Sequence, residues 1–420
     1  MKRLIYKTLL SEIQELSDAD RLLLPLLQTG SVPLEACVAA GDKVRRGQCI
    51  GRSDAADTAF LHSPLAGEVK SLFRSMSYQG ASVVTLEIEG QTSGEVETFP
   101  PIKQDAAELS ARTLQDRLRE AGVSPLGGNG KNAQYASLRP IEESPPEILM
   151  VLCADEEPLL QTQRHILRES PEKVIEGATL FQKAVGAGRL VFVISGDQAN
   201  LVSGETLRVG RSYPSGHPEI LMARATGRHR LNEGRPRKDI YVINAETAMA
   251  ACRAVREGRP VLEKALTVGA EGGAAVVMRA PLGTPFSQVL GKAGLTAEDA
   301  DRLYTGGPLQ GLAQFDAEGP ITKGTDGLFL QKGNRVLRFD DVACIGCGQC
   351  VKVCPMKIPV NMMTRNCEFG RIQEALSYDL DSCIECGLCA YVCTARRPLL
   401  QYIQFAKQER KKAEQERQSV

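Results

Sequence analysis

The chain has 420 residues, 43% of them hydrophobic, with 51 basic and 51 acidic side chains and a formal net charge of zero. This length accommodates roughly two to four domains, and the charge balance argues against a general nucleic-acid binder, which carries a basic excess. No apolar run approaches the ~20 residues needed to cross a bilayer, and Met1-Lys2-Arg3-Leu4-Ile5-Tyr6-Lys7 leads into no signal-peptide-like stretch, so any attachment to a membrane falls to a partner.

Residues 1–27 predict a loosely patterned helical segment that ends in the apolar run Leu22 to Leu27. Residues 28–95 carry short alternating stretches between glycine turns, the pattern of a small β domain. Two turn-rich pieces stand out, Gly41-Asp42-Lys43-Val44-Arg45-Arg46-Gly47-Gln48 and Ser63-Pro64-Leu65-Ala66-Gly67-Glu68-Val69. Together they resemble the barrel-sandwich fold of biotinyl and lipoyl carriers. No carrier lysine stands in a matching hairpin turn, so the piece reads as a structural barrel.

A helix over 114–121 opens an α/β stretch, 115–258. Its predicted strands are 147–152, 190–195 and 240–243, with helical spacing over 157–170 and 246–256. Strands alternating with helices predict a layer with a ligand crevice at the strand ends. From 259 to 332, short strands between glycine turns at Gly269, Gly272, Gly273, Gly283, Gly306 and Gly307 predict a β-grasp-like (SLBB) domain. Within it, residues 321–330 read as a strand returning to the preceding body. A cysteine-rich module spans 339–406, and a charged tail of mixed sign, 407–420, reads as a solvated helix or frayed end.

Eight of the thirteen cysteines lie in that module. They form Cys344-Ile345-Gly346-Cys347-Gly348-Gln349-Cys350 with Cys354, then Cys383-Ile384-Glu385-Cys386-Gly387-Leu388-Cys389 with Cys393. Each run is C-x2-C-x2-C-x3-C, the ligand spacing of a two-cluster ferredoxin module. Three thiolates two residues apart on a glycine-tightened loop wrap three corners of one cubane. The fourth lies beyond reach and ligates the other cluster. Cys344, Cys347, Cys350 and Cys393 are therefore expected on one [4Fe-4S] cluster, and Cys383, Cys386, Cys389 and Cys354 on the second. Zinc sites use paired C-x2-C hooks instead. Cys37, Cys49, Cys153, Cys252 and Cys367 show no pairing pattern and read as small buried hydrophobes.

Elsewhere the signals are weaker. Leu126-Gly127-Gly128-Asn129-Gly130-Lys131 is a glycine-rich loop whose amides could approach a phosphate, although it is no Walker A loop. Asp155, Glu156 and Glu157 follow a strand directly, where carboxylates contact ribose or flavin hydroxyls or simply favour a helix N-terminus. His217, one of four histidines, sits in the turn Tyr213-Pro214-Ser215-Gly216-His217-Pro218 and reads as structural. Arg224, Arg228, Arg230, Arg235, Arg237 and Lys238 form a basic stretch suited to an acidic electron carrier or a nucleotide phosphate, or to plain solvation.

The order of these pieces resembles the RnfC subunit of the Rnf-type ion-translocating electron transport complex, a relative of the flavin/NADH subunit of respiratory complex I. Cys153-Ala154-Asp155-Glu156-Glu157-Pro158 is similar to the family's G-A-E-C-E-P. Tyr213-Pro214-Ser215-Gly216 is similar to its Y-P-x-G, and Asn244-Ala245-Glu246-Thr247 to its N-V-x-T. Gly306-Gly307-Pro308-Leu309-Gln310-Gly311, Pro320-Ile321-Thr322-Lys323-Gly324-Thr325 and the cluster runs resemble the family closely. The resemblance implies a multidomain α/β chain: a barrel-sandwich domain, a flavin/NADH-subunit-like domain, a β-grasp-like domain and a two-cluster module. It implies FMN and NAD(H) beside the clusters, with Gly127, Gly128, Gly130, Lys131, Asp155, Glu157 and Asn244 at the flavin or nucleotide.

Departures accompany the likeness. The family's G-L-G-G-A-G-F-P-T loop, with a lysine shortly after, has become Pro125-Leu126-Gly127-Gly128-Asn129-Gly130-Lys131-Asn132-Ala133, with Ala136 at the lysine's place. Glu219 stands where Y-P-x-G-G-E-K places a second lysine, and Thr394 follows Cys393 in place of proline.

Two functions follow. The first is an electron-transfer subunit of a membrane-bound complex, a ferredoxin:NAD oxidoreductase working through FMN and two clusters. Partner subunits would move the ion and hold the chain peripherally at the cytoplasmic face of the bacterial inner membrane. The second is a cluster relay and docking subunit without FMN or NADH, passing electrons to a cytochrome or quinone-linked partner.

Overall fold

A computed structural model describes residues 12–17, 19–29, 32–55, 57–76, 82–128, 145–210, 212–227, 240–270, 274–299, 301–336 and 342–418. Gly130, Lys131, Ala136, Arg228, Arg230, Arg235, Arg237 and Lys238 lie outside them. The chain divides into two compact units. One is Met1–Tyr213 with Arg237–Gly307 and Gly311–Asn334; the other is Pro214–Pro236 with Pro308–Gln310 and Arg335–Val420.

The first unit begins with β1 (Gln14–Glu15), β2 (Arg21–Pro25), β3 (Glu35–Ala36), β4 (Lys43–Val44), β5 (Cys49–Arg52), β6 (Leu61–His62), β7 (Ala66–Met76) and β8 (Ser82–Gln91). Strands β2-β8-β7-β4 and β3-β5-β6 form two sheets that bury Leu22, Leu24, Ile50, Leu61, Leu65, Val69, Leu86 and Ile88. This is the barrel-sandwich domain. The helical lead-in expected over 1–27 is not what the described part of that segment forms. β1 adds parallel to β14 (Ala275–Pro281) of a later sheet, and β2 pairs antiparallel with β8. An unbroken Leu-Leu-Leu run has no helical period, and Pro25 has no N–H for a helix interior, so the run takes the open edge that β8 supplies.

The α/β layer is a parallel sheet of β9 (Ile148–Leu152), β10 (Arg189–Ile194), β11 (Glu205–Arg208) and β12 (Ile240–Asn244), in the order β11-β10-β9-β12. All five residues of β9 are buried, as a central parallel strand covered on both faces requires. Pro171 opens the helix Pro171–Val185, and Gly186, in the left-handed region, closes it. A side chain at Gly177 would strike the Ala248 carbonyl, so glycine is what lets this helix lie against the helix Ala245–Cys252. The latter continues into a π-helical turn, Arg253–Glu257.

In the order β11-β10-β9-β12 the chain moves from β9 to β10 and β11 on one side, then returns to place β12 on the other. The carboxyl ends of β9 and β12 therefore flank a topological switch point, where open α/β sheets leave a crevice.

The β-grasp-like domain combines β13 (Glu263–Ala270), β14, β15 (Arg302–Thr305), β16 (Leu312–Gln314) and β17 (Gly327–Gln331), with β1 at its edge and the helix Phe286–Lys292. The strand expected over 321–330 begins only at Gly327. Residues 321–326 instead form a buried turn, held by Thr325 N–H to the Thr322 carbonyl at 3.1 Å and Thr322 N–H to Thr325 Oγ1 at 3.1 Å.

The second unit holds the helices Pro218–Thr226, Gln349–Val353, Val360–Glu368, Ile372–Leu376, Leu388–Tyr391 and Leu399–Gln418. Ile358, Val360, Met363, Ala375, Leu380, Leu399, Ile403 and Ala406 form the core of the cysteine module. The expected boundary between module and tail at 406 falls inside the helix Leu399–Gln418. Lys407 donates to the Cys383 carbonyl at 2.6 Å and to Glu385 at 3.0 Å, and Arg410 pairs with Asp381, so this part of the helix is docked on the module. Among the described residues no helix is long and apolar enough to cross a membrane.

Candidate functional site

The cysteine module contains two cavities. Cys344, Cys347, Cys350 and Cys393 line one, with Gly348, Thr364, Thr394 and Arg397. Cys354, Cys383, Cys386 and Cys389 line the other, with Ile358, Ile384, Leu388, Leu400 and Ile403. Each cavity thus gathers three cysteines of one run and the fourth of the other. Gly348 and Gly387, at φ +68° and +75°, turn the chain from each thiol loop into the short helix that follows.

The two cavities differ in exposure. Cys344 and Cys347 are exposed, beside Ile345 at 64% exposure, whereas Cys386 and Cys389 are buried. The Gln349 amide, and after it the Thr394 hydroxyl, hold the Cys347 thiol below its ordinary range; Thr394 Oγ1 stands 3.6 Å from its Sγ. Burial pushes Cys386 up to about 12. Thiols this deep serve as thiolate ligands only opposite a strong positive charge. Among the described residues no three His, Cys, Asp or Glu side chains converge as for a single metal ion.

The second site is the crevice at the switch point. Leu152, Ala154, Asp155, Glu156, Leu160, Thr162, Gln163, Asn244 and Asp326 line it. Asp155 is committed to structure, its Oδ1 accepting the Gln163 N–H at 2.9 Å and its Oδ2 paired with Arg164 Nε at 3.0 Å. Asn244 caps the helix Ala245–Cys252, accepting the Thr247 N–H at 2.9 Å, and its Nδ2 donates to the Leu126 carbonyl. Glu157 is buried against Gly307, where a side chain would collide with it. The Leu126 N–H bonds Thr247 Oγ1 at 3.0 Å. The glycine loop is thereby fastened to the end of β12, so Gly127, Gly128, Asp155 and Asn244 meet in one place although they lie far apart in the chain.

Residues outside the expected site set complete this place. The Gly127 N–H donates to the Lys323 carbonyl at 2.7 Å, and the Gly128 N–H donates to Asp326 Oδ2. Behind Asp326, the buried ammonium of Lys264 donates to Glu246 Oε2 at 2.5 Å and to the Ala265 carbonyl at 2.5 Å, and stands 3.7 Å from Asp326 Oδ1. Burial pushes Asp326 up to about 6, against the pull of Lys264. The sequence signals for this wall are the run ending at Thr325, which holds Lys323 and stops one residue short of Asp326, and Glu246 within Asn244-Ala245-Glu246-Thr247. His217, expected to be structural, caps the helix Pro218–Thr226, its Nδ1 accepting the Glu219 N–H at 3.3 Å.

Known families match this architecture piece by piece. Residues 6–101 match the RnfC barrel sandwich hybrid domain, 118–253 the Nuo51 FMN-binding domain and 336–394 the 4Fe-4S dicluster domain. Across the whole chain, the C subunit of the proton-translocating ferredoxin:NAD(+) oxidoreductase complex of Clostridium ljungdahlii is 28% identical over 413 residues, covering 94% of this chain and 89% of that one. The chain is a homologue of the RnfC subunits of Rnf-type complexes. The C subunit of the ion-translocating oxidoreductase complex of Rhodobacter capsulatus is 29% identical, covering 94% of this chain and 79% of that one. Its counterpart in Methanosarcina acetivorans is 27% identical, covering 97% of both.

The matched domains make two [4Fe-4S] clusters and FMN the cofactors of this RnfC homologue. The two cysteine-lined cavities fit the clusters in donor type and in number. The crevice fits FMN in part. Its carboxylates and amide side chains suit the hydroxyls of a polyol, but the amides of Gly127 and Gly128 are already engaged inside the chain.

Proposed function

We propose that this chain is the electron-transfer subunit of an Rnf-type membrane complex, carrying electrons between ferredoxin and NAD while partner subunits translocate the ion. One observation carries the reading: eight cysteines gather in two sets of four, each completed by the fourth cysteine of the other run. The similarity to the Clostridium ljungdahlii protein over 94% of the chain supports it.

In this reading Cys344, Cys347, Cys350 and Cys393 hold the outer cluster, and Cys354, Cys383, Cys386 and Cys389 the inner one. Loaded, the clusters supply one-electron transfer, and the flavin joins it to the two-electron exchange with NAD. The exposed edge at Cys344, Ile345 and Cys347 faces a small electron carrier such as ferredoxin. The apolar wall of Ile358, Ile384, Leu388 and Ile403 keeps water from the inner thiolates. Gly127, Gly128, Gly130, Lys131, Asp155, Glu157 and Asn244 shape the flavin and nucleotide place. Asp155 and Asn244 do so by holding the strand ends and the glycine loop. Oxidoreductase activity belongs to the assembly. Partner subunits hold this chain peripherally at the cytoplasmic face of the membrane, consistent with its having no membrane-spanning helix among the described residues.

The test is anaerobic. Clusters are reconstituted, FMN is supplied, NADH is added, and flavin and cluster reduction are followed by absorbance and EPR. Reduction of both is expected. Two clusters reducible by dithionite, with no flavin retained and no response to NADH, would replace this reading with a relay to a cytochrome or quinone-linked partner.

A further inference from the structure

The glycine loop already has an anion on it. Asp326 lines the crevice with 15% of its side chain exposed, and its Oδ2 accepts the Gly128 N–H. Its carboxylate fills the space beside Gly127 so completely that a methyl group there would overlap it. Gly127 stands at φ +108° and Gly128 at +70°, backbone that glycine adopts freely. Such a loop lets amides approach an anionic group. Here the Gly127 amide is given to the Lys323 carbonyl and the Gly128 amide to a carboxylate.

Among the described residues, the positive charge around that carboxylate is nearly spent. Lys264 is fully buried behind it and already bonded to Glu246 and the Ala265 carbonyl. Asp326 Oδ1 is buried and accepts no hydrogen bond from the described residues. Asp155 and Glu156 line the same crevice, and Arg164 is committed to Asp155. A phosphate carrying about −1.5 to −2 charges at neutral pH would have to displace Asp326 from Gly128 or lie against it.

We propose that Asp326 is a specificity-determining residue: an internal carboxylate seated on the amide of the glycine loop that sets the crevice against phosphate and thereby weakens FMN relative to a flavin without a phosphate. The inference rests on the flavin reading of this crevice and deepens it. Removing the charge while keeping the acceptor for Gly128 should free the loop for a phosphate without unfastening it.

The experiment uses the full chain with clusters reconstituted, wild type and Asp326→Asn, titrated with FMN and with riboflavin by flavin fluorescence. FMN is expected to bind about tenfold tighter to D326N, as removal of one nearby like charge in a partly buried site predicts, while riboflavin affinity stays unchanged. Asp326→Glu, which keeps the charge, should behave like wild type. Asp326→Ser, small and neutral, is read in the same way should D326N fold poorly. Where FMN binds, equal FMN affinities in wild type and the neutral variants, or an equal gain for riboflavin, overturn the proposal. A flavin-independent arm measures the rise in melting temperature with inorganic phosphate. A larger rise in D326N supports the proposal, and an equal rise overturns it, even if neither flavin binds either protein. Failure of both flavins to bind either protein counts against the flavin reading itself.

Discussion

The ammonium of Lys323 donates to the Phe60 carbonyl at 2.8 Å and to the Gly122 carbonyl at 2.7 Å, with the lysine 1% exposed. One side chain from the buried turn of the β-grasp-like domain thereby joins the segment before β6 of the barrel-sandwich domain to the residues after the helix Ala111–Glu120. Lys323→Met would leave two buried carbonyls without their donor, each costing about 1–3 kcal/mol. Thermal unfolding should place the variant about 2–6 kcal/mol below wild type.

The same lysine predicts a pH dependence. Burial lowers its pKa from 10.5 to about 7. Between those values the unfolded chain binds more protons than the folded one, so stability rises with pH across that window. Melting temperatures at pH 7 and 9 should rise for wild type, and K323M should lose that rise.

His62 acts in the acid range. Burial, and secondarily the Lys323 ammonium, lower it from 6.5 to about 3, and neither ring nitrogen has a hydrogen-bond partner among the described residues. The folded state holds a neutral imidazole, edge-on to Phe99 with ring centres 6.0 Å apart. Stability is therefore present above pH 6.5 and lost progressively as pH falls toward 3. Between pH 7 and 5 the wild type should lose more melting temperature than His62→Leu, and parallel losses would remove His62 from the account.

The crossed cysteine sets make a prediction about which variants share a phenotype. Cys354→Ala should lose the same EPR signal as Cys386→Ala, and Cys393→Ala the same signal as Cys347→Ala. In each case iron content should fall from roughly eight to about four per chain. Pairing by sequence run, with Cys354 grouped with Cys347, would contradict the arrangement of the two cavities.

Thr394 stands where the first run has Pro355, and its hydroxyl lies 3.6 Å from Cys347 Sγ. A hydrogen bond to a ligand sulfur favours the reduced cluster. Thr394→Val should lower the midpoint potential of the outer cluster by roughly 40 mV, taking about 1 kcal/mol for the bond and 59 mV per tenfold for one electron. An EPR-monitored redox titration reads this, with the other cluster as internal control.

How legible each feature is in the sequence depends on how far it reaches along the chain. The two cysteine runs place their chemistry within a few residues, so spacing alone predicts two four-thiol sets, and the structure gathers the same sets around two cavities. The α/β alternation gives away β9, β10 and β12 because each is a short, largely buried run between helical periods, whereas the mostly exposed edge strand β11 carries no such signal. The lead-in defeats sequence reading because Leu22-Leu23-Leu24 has no period of its own, and a strand partner more than 60 positions later, with Leu22 opposite Ile88, decides its form. The tail does so because its charges look solvated, whereas Lys407 and Arg410 find Glu385 and Asp381 only in the folded module.

By itself the sequence determined the order of the modules, the grouping of the cysteines into two runs and the glycine-rich loop, since these rest on local spacing and backbone freedom. Only the tertiary structure decided what meets that loop. Asp326 lies 198 positions from Gly128, and Lys264 and Glu246 come from two further elements, so no spacing rule connects them. Their meeting is a property of the buried turn before β17 and of the switch point between β9 and β12. In that low-dielectric place a single carboxylate outweighs what the glycine pattern alone would lead one to expect.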